Sequence, residues 1–230
     1  MSTLIKVITA LVLSAFMASC NLGLNFSGAQ GNGNVVTESR SVSGFDKIHA
    51  SEGLDVVVSQ GATTEVKVEA DENIMPLILT EVSDNTLRIH CKDPIGKARS
   101  KKIFVTVPSL RELSVSSGAD LESMGLVESD NISLSASSGA DLKVEIKADD
   151  VHCNTSSGAD IRVVGSANSI NADASSGSDI NADDLQVKTA IANASSGADI
   201  SINATEKVTK KTSSGGSIHI SGSAEIVKND

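Results

Sequence analysis

A five-residue motif, Ser-Ser-Gly-Ala-Asp, recurs along the second half of the chain. Its glycines stand at positions 118, 139, 158, 177 and 197, with Ser178 in place of the alanine in the fourth copy, and a degenerate sixth copy places Gly215 at the same point. The spacings of 21, 19, 19, 20 and 18 residues define one period of about 20 residues. Six copies at one period indicate a repeat architecture, in which each unit buries its apolar face against its neighbours.

The residues that follow each motif alternate between apolar and polar. An aliphatic side chain stands three positions after every glycine, at Leu121, Leu142, Ile161, Ile180, Ile200 and Ile218. A period of two is typical of a β-strand, and no stretch shows helical periodicity. Twenty residues at about 3.3 Å each give a perimeter of about 65 Å, which suits one coil. The sequence therefore predicts an all-β fold, a parallel β-solenoid with coils of about 20 residues and an internal aliphatic ladder.

Aromatic residues are almost absent from the chain. They make up 2%, with four Phe and neither Trp nor Tyr. A narrow solenoid repeats one small side chain per layer and has no room for a ring in each, so the deficit fits the predicted fold. The deficit also removes stacking platforms for bases and sugars. The net charge of -10 disfavours nucleic acid and anionic membrane surfaces as partners.

The N-terminus predicts a lipoprotein signal peptide over residues 1–19. An apolar run, Val7–Phe16, has the length of a signal core, and the small residues of Met17–Cys20 resemble a lipobox. Cys20 would then be the lipidated first residue of the mature protein. The alternative is an ordinary secretory signal in which Cys20 is coincidental. Residues 20–39 are rich in Asn and Gly and predict a flexible tether, with the solenoid domain over residues 40–230.

The first part of the solenoid domain is less regular than the second. Alternating apolar residues over 40–108 predict irregular first coils and a cap, with the repeats over 109–230. The pair Asp84-Asn85 is a turn signal, and the segment Asp71–Leu77 predicts one short helical turn. Cys91 and Cys153 belong to layers too far apart for a disulfide, so both are expected to be free and buried.

One constellation of side chains could carry chemistry. An aspartate follows each of the first five glycines by two positions, and stacking places Asp120, Asp141, Asp160, Asp179 and Asp199 in one outward column. Carboxylate oxygens suit Ca²⁺, so the column is a possible cation-binding site, and no other cofactor is expected. The alternative is that each aspartate accepts backbone N–H bonds in its own bend.

No catalytic residue is expected. The four histidines are scattered, and no base lies beside a serine pair. We expect the paired serine hydroxyls to hydrogen-bond between layers instead. Arg162 near Asp160 is the only pair that suggests proton abstraction from a sugar.

The order of several motifs resembles a known family. The segments Gly44–Ile48, Val68–Ile74 and Val105–Leu110, followed by the Ser-Gly-Ala-Asp repeats, resemble the "putative auto-transporter adhesin, head GIN domain" family. The resemblance covers the chain from about Arg40 onwards. It implies a right-handed β-helix, an envelope protein that is often a lipoprotein, and no established enzymatic activity.

These observations predict a non-enzymatic protein of the cell envelope, anchored by lipid in the outer membrane. Its solenoid surface would contact a protein or glycan ligand that the sequence does not identify. Two alternatives remain: a scaffold or sensor module for envelope stress, and a polysaccharide-active lyase built on the same fold. Whether the domain faces the periplasm or the cell surface also stays open.

Overall fold

The computed structural model of the protein describes residues 28–228. The predicted signal peptide and Cys20 lie outside the described residues. Within residues 28–228, no helix is long and apolar enough to cross a membrane. The strands are β1 (Val35–Arg40), β2 (Lys47–Ala50), β3 (Asp55–Gln60), β4 (Glu65–Asp71), β5 (Ile78–Ser83), β6 (Thr86–Cys91), β7 (Lys101–Val107), β8 (Glu112–Val115), β9 (Asp120–Ser137), β10 (Asp141–Ser156), β11 (Asp160–Ser175), β12 (Asp179–Ala194), β13 (Asp199–Thr212), β14 (Ser217–Gly222) and β15 (Glu225–Lys228).

The long strands β9 to β13 are successive coils of a parallel β-solenoid, which confirms the predicted fold. In the register of β10 with β11, Asp141 pairs with Asp160 and Leu142 with Ile161, so one coil takes 19 residues. Burial alternates along β10 and slips once at Ala148–Asp150, where the strand bends. Each coil therefore has a first face before this bend and a second face after it.

The predicted aliphatic ladder fills the interior. The residues three positions after each glycine have exposures between 0% and 9%, at Leu121, Leu142, Ile161, Ile180, Ile200 and Ile218. Side chains of the second face, such as Val151 and Cys153, are buried as well. Burying each large aliphatic side chain stabilises the fold by about 1.5–3 kcal/mol. Because each layer of the repeats carries the same small side chains, the repeat core forms without large rings, and the buried Phe45 lies in the first coils.

The Ser-Ser-Gly segment reverses the chain between coils by placing two consecutive residues in the left-handed region. In the third repeat the second serine, Ser157, has a φ of 57° and Gly158 a φ of 68°. The Gly158 N–H donates to the carbonyl of Ser176 in the next coil at 3.2 Å, and every other full repeat makes the equivalent bond. Backbone groups thus carry the inter-coil bonding around this bend, where we expected hydroxyl pairs. One hydroxyl at a bend does bond between layers: Ser178, which stands in place of the alanine in the fourth copy, donates to the Thr155 hydroxyl at 2.9 Å.

The first coils are stacked in a different order from the sequence. Strand β2 pairs in parallel with both β6 and β8, and β3 pairs with both β7 and β9. The β2–β3 coil therefore lies between the β6–β7 coil and the β8–β9 coil. Along the chain, the second layer (β2–β3) therefore comes before the first layer (β6–β7), and the third layer (β8–β9) follows on the other side of the second.

Antiparallel strands close the N-terminal end of the solenoid. Strand β4 pairs antiparallel with β7, and β1 pairs antiparallel with β4. The antiparallel hairpin of β5 and β6 covers the second face, and its turn is Asp84-Asn85, both with positive φ, as the sequence indicated. The predicted helical turn is a short 3-10 turn at Met75–Leu77.

The prediction of a flexible tether over residues 20–39 is wrong for residues 28–39. Residues 35–39 belong to β1, and residues 28–34 form a strap that lies against the domain. The buried Asp71 carboxylate accepts the Gly33 N–H at 2.7 Å and the N–H groups of Arg99 and Ser100. A Cβ atom on Gly31 would lie 2.1 Å from this carboxylate, so glycine here permits close approach. Burial opposes ionisation of Asp71, but these backbone donors lower its pKa.

Cys91 and Cys153 are free and buried, as predicted from their layers. Burial raises the pKa of Cys91 to about 11, with a contribution from the nearby Glu52 carboxylate. Burial alone raises the pKa of Cys153 to about 12. Both residues therefore act as small apolar side chains of the core rather than as reactive thiols.

The Asp column as a candidate binding surface

The predicted column of carboxylates exists. Strand register stacks each aspartate directly on the next, through the pairs Asp120 with Asp141, Asp141 with Asp160, Asp160 with Asp179 and Asp179 with Asp199. All five start a long strand on the first face and point away from the core. Neighbours in such a ladder are about 4.8 Å apart. We call this set the Asp column.

A further carboxylate extends the column toward the N-terminal end. Asp55 pairs with Asp120 in the register of β3 with β9. The preceding Glu52 and Gly53 have φ values of 64° and 69°, the same left-handed pair as in the repeats. Ser51–Asp55 is therefore a degenerate copy of the motif that the sequence analysis missed. The spacing of Ser, Gly and Asp within it was the signal that could have found it.

Basic and polar side chains line the Asp column on one side. Two residues further along each strand, Glu122, Lys143 and Arg162 are exposed and stacked on one another through the same register. A shallow cleft of about 290 Å³ lies at the N-terminal end of the column and is lined by Asp55, Lys102, Asp120, Asp141 and Lys143, among others. The first face therefore presents acids and bases side by side.

The carboxylates of the Asp column repel one another. Partial burial and the neighbouring carboxylates of Asp141 and Asp55 raise the pKa of Asp120, while Lys143 and Lys101 oppose this. Partial burial and the carboxylates of Asp179 and Asp141 likewise raise the pKa of Asp160. Two like charges about 4.8 Å apart repel by about 0.9 kcal/mol even in water. Positive charge placed beside the column would relieve this repulsion.

The column could accept backbone N–H bonds in its own bends or bind a cation. Among residues 28–228, none of the five repeat aspartates accepts a hydrogen bond within its own bend. Backbone bonds join adjacent coils, such as Asp160 N–H to Ala140 O at 3.0 Å, and in some copies they also close the bend itself, such as Ala119 N–H to Ser116 O at 3.2 Å. In the same part of the chain, no three His, Cys, Asp or Glu side chains are grouped as metal ligands. Cation binding by the column stays a prediction.

The pair that suggested sugar chemistry is not formed. Arg162 donates to the carboxylate of Asp184 in the next coil rather than to Asp160. Its guanidinium is thus held by an ion pair on the surface, and within residues 28–228 no basic side chain forms an ion pair with Asp160.

The parallel solenoid, the antiparallel cap and the continuous polar column define the class of capped β-solenoid proteins. The family follows from the sequence: the chain belongs to the family described as "Putative auto-transporter adhesin, head GIN domain", whose model matches residues 44–224. The sequence matches no curated protein at a significant level.

Solved structures share the fold. A putative adhesin from Bacteroides fragilis is 20% identical, with a TM-score of 0.75 over 87% of this chain and 100% of that one. A putative adhesin from Parabacteroides distasonis is 18% identical, with a TM-score of 0.72 over 87% of this chain and 95% of that one. A protein from the same species named as a putative lipid binding protein is 22% identical, with a TM-score of 0.66 over 88% of this chain and 99% of that one.

Proposed function

We propose that the protein is a lipid-anchored adhesin of the cell envelope that binds its ligand along the Asp column. The observation that carries the proposal is the continuity of the column: Asp55 and the five repeat aspartates present one carboxylate per layer on an open face. A regular row of acceptors about 4.8 Å apart suits an extended ligand that offers donors at intervals. A basic protein segment or a hydroxyl-rich glycan has this chemistry.

The ligand is bound without being transformed. Catalysis needs a nucleophile or an acid–base pair within hydrogen-bond reach of a reacting atom. Arg162 is engaged by Asp184, and the two thiols are buried with raised pKa values. Incubation with polyuronates tests this part of the proposal: the solenoid should release no unsaturated sugar, and formation of such a product would overturn the non-enzymatic assignment.

Acylation of Cys20 holds the domain at the outer membrane. The small residues before Cys20 and the apolar run that precedes them support this part of the proposal. Metabolic labelling with a fatty-acid analogue tests it directly. The full chain should become labelled, and the Cys20→Ala variant should lose the label. An unlabelled wild-type chain would show that the signal is an ordinary secretory one.

Binding by the column is tested with a charge-removal variant. Asp141→Asn, Asp160→Asn and Asp179→Asn together remove three adjacent charges and keep the side-chain volume. We expect cells that display this variant to lose most of their adhesion to extracellular-matrix proteins or glycans, because the centre of the column is neutralised.

A matched control removes three exposed acids outside the column. Asp84→Asn, Asp130→Asn and Glu206→Gln change the net charge by the same amount, and all three residues are exposed. Adhesion of this control should equal that of the wild type. Equal loss in both variants would show that total charge, rather than the column, governs binding.

A further inference from the structure

Basic residues are concentrated in one loop of this acidic protein. The segment Lys92–Lys102 contains five of the 19 Lys and Arg residues and only one acid, Asp93, although the chain has a net charge of -10. Residues 92–100 join β6 to β7 at the N-terminal end of the solenoid, and Lys101 and Lys102 begin β7. We call this segment the basic loop. Its local charge is opposite in sign to that of the whole molecule.

The cations of the basic loop are available to a partner. Lys92, Lys97 and Arg99 are exposed, while Lys101 and Lys102 are half-buried. None of the five forms an ion pair with a residue of the described range 28–228.

Three acids beside the basic loop are engaged in hydrogen bonds, whereas Asp55 pairs with Lys102 in the register of β3 with β7. The Asp71 carboxylate accepts three backbone N–H groups, and Glu69 accepts the Ser100 hydroxyl at 3.0 Å. Glu72 accepts the side-chain amide of Asn34 at 2.8 Å. These hydrogen bonds hold the carboxylates on the strap side of the loop.

The strap places the basic loop beside the path to the predicted anchor. Ala29 N–H donates to Pro94 O at 2.9 Å, and Gly31 N–H donates to Lys97 O at 2.8 Å, so strap and loop run side by side. Seven residues, 21–27, separate Cys20 from Gly28. Even fully extended, this stretch spans at most about 29 Å. The basic loop is therefore the part of the domain that the chain tethers nearest to Cys20.

We infer that the basic loop docks on anionic phospholipid headgroups of the bilayer that holds the anchor. The inference rests on the proposed acylation of Cys20. Attraction to an anionic surface acts within a Debye length, about 8 Å at physiological salt. The Asp column begins beside the loop, where Lys101 and Lys102 offset the charges of Asp55 and Asp120, and its further carboxylates lie beyond a Debye length, so their repulsion is screened where the loop meets the headgroups. The net charge led us to disfavour anionic membranes, but charge at the point of contact decides this interaction.

Docking would also orient the solenoid. On the first face, β4 and the edge strand β1 lie on one side of β7, and β3, β9, β10, β11, β12, β13 and β14 follow in order on the other side. Seven steps of about 4.8 Å carry the last strand about 34 Å beyond β7. With the loop on the membrane, the repeats and their Asp column project outward as a rod that a ligand can reach.

Lysine footprinting on vesicles tests the inference. The full chain is produced with its own signal, its acylation is read from the intact mass, and the purified protein is placed in vesicles. One set contains equal parts of phosphatidylethanolamine and phosphatidylglycerol, and the other contains only phosphatidylcholine. A water-soluble amine reagent then labels exposed lysines. Lys92 and Lys97 should react at least about fivefold more slowly on the anionic vesicles, as expected for a contact worth about 1 kcal/mol per residue.

Two internal comparisons keep the result specific. Lys210 and Lys211, at the far end of the solenoid, should react equally on both vesicles. The variant Lys97→Glu/Arg99→Glu should remove the protection of Lys92, whereas Lys210→Glu/Lys211→Glu, with the same change of charge, should leave it. High salt should abolish the protection.

The outcomes separate the two hypotheses. An acylated protein whose loop lysines react equally on both vesicles would overturn the docking and leave the anchor intact. A protein that is not acylated would overturn the anchor. In that case the same footprint is taken with the unanchored chain mixed with the anionic vesicles, where protection of Lys92 and Lys97 supports docking and its absence refutes it.

Discussion

Replacing either of two glycines in one coil by alanine distinguishes the free-energy cost of a strained backbone from the cost of a steric clash between coils. Gly158 has a φ of 68°, and a Cβ added there would meet nothing within 4 Å. Gly165 has a φ of 119°, and its Cβ would lie 2.0 Å from the carbonyl oxygen of Ile146 in the preceding coil. Alanine at either position strains the backbone, but only at Gly165 must two hydrogen-bonded coils move apart.

The magnitudes follow from these two terms. A left-handed conformation costs an alanine about 1–2 kcal/mol, which is the whole expected loss for Gly158→Ala. Overpacking adds about 1–3 kcal/mol, so Gly165→Ala should lose about 2–5 kcal/mol of unfolding free energy. Urea unfolding followed by circular dichroism measures both, with the slope compared to confirm that the same surface unfolds. Equal losses within about 0.5 kcal/mol would refute the close stacking of β10 on β11.

Three further predictions concern charge and thiols. Folding lowers the pKa of Asp71, so the Asp71 carboxylate stabilises the fold above the ordinary pKa of 3.8, and this stabilisation is lost as the pH falls through the pKa of the folded state. The urea midpoints of the wild type and Asp71→Asn should therefore differ at pH 7 and converge in acid. A difference that stays constant with pH would contradict this prediction. The raised pKa of Asp160 means that its negative charge destabilises the fold at neutral pH. Asp160→Asn should therefore raise the melting temperature at low salt and raise it less at high salt, whereas the control Asp130→Asn should not raise it. A lower melting temperature for Asp160→Asn would show that the carboxylate stabilises its bend. Cys91 and Cys153 should resist a disulfide reagent in the native protein and react fully in urea; fast native reaction would contradict their burial.

Cation binding by the Asp column has its own test. If Ca²⁺ bridges successive carboxylates, a chelator should lower the melting temperature of the wild type, and it should lower that of the Asp141→Asn, Asp160→Asn and Asp179→Asn triple variant by less. An unchanged melting temperature of the wild type would show that the column binds no Ca²⁺ and acts only as a row of hydrogen-bond acceptors.

The repeats were predictable because their information is local. Neighbouring residues determine the Ser-Ser-Gly bend, the aliphatic residue three positions after its glycine and the turn at Asp84-Asn85. The stacking order of the first coils was not, because alternation in β2 and β3 shows that they are strands but not which layers they join. The strap was missed for a related reason: its glycines suggest a coil, and only the position of Asp71, buried 38 residues beyond Gly33, shows what they approach.

The candidate site divides in the same way. The five repeat aspartates stack as their spacing indicated, whereas Asp55 escaped notice because Glu52 and Leu54 replace two residues of the motif. Arg162 shows the limit of sequence proximity. It stands two residues from Asp160, so in an extended strand both point outward with a gap between them. Its partner Asp184 comes from the next coil.

Exposure of the solenoid on intact cells tests the proposed adhesin most directly, because adhesion requires the Asp column to face the surroundings. Intact cells that produce the full chain are treated with a protease, and the surviving domain is measured by immunoblot against an untreated sample and a periplasmic control protein. We expect the domain to be degraded while the periplasmic control survives. A domain that survives until the outer membrane is permeabilised would contradict adhesion as the function of this protein.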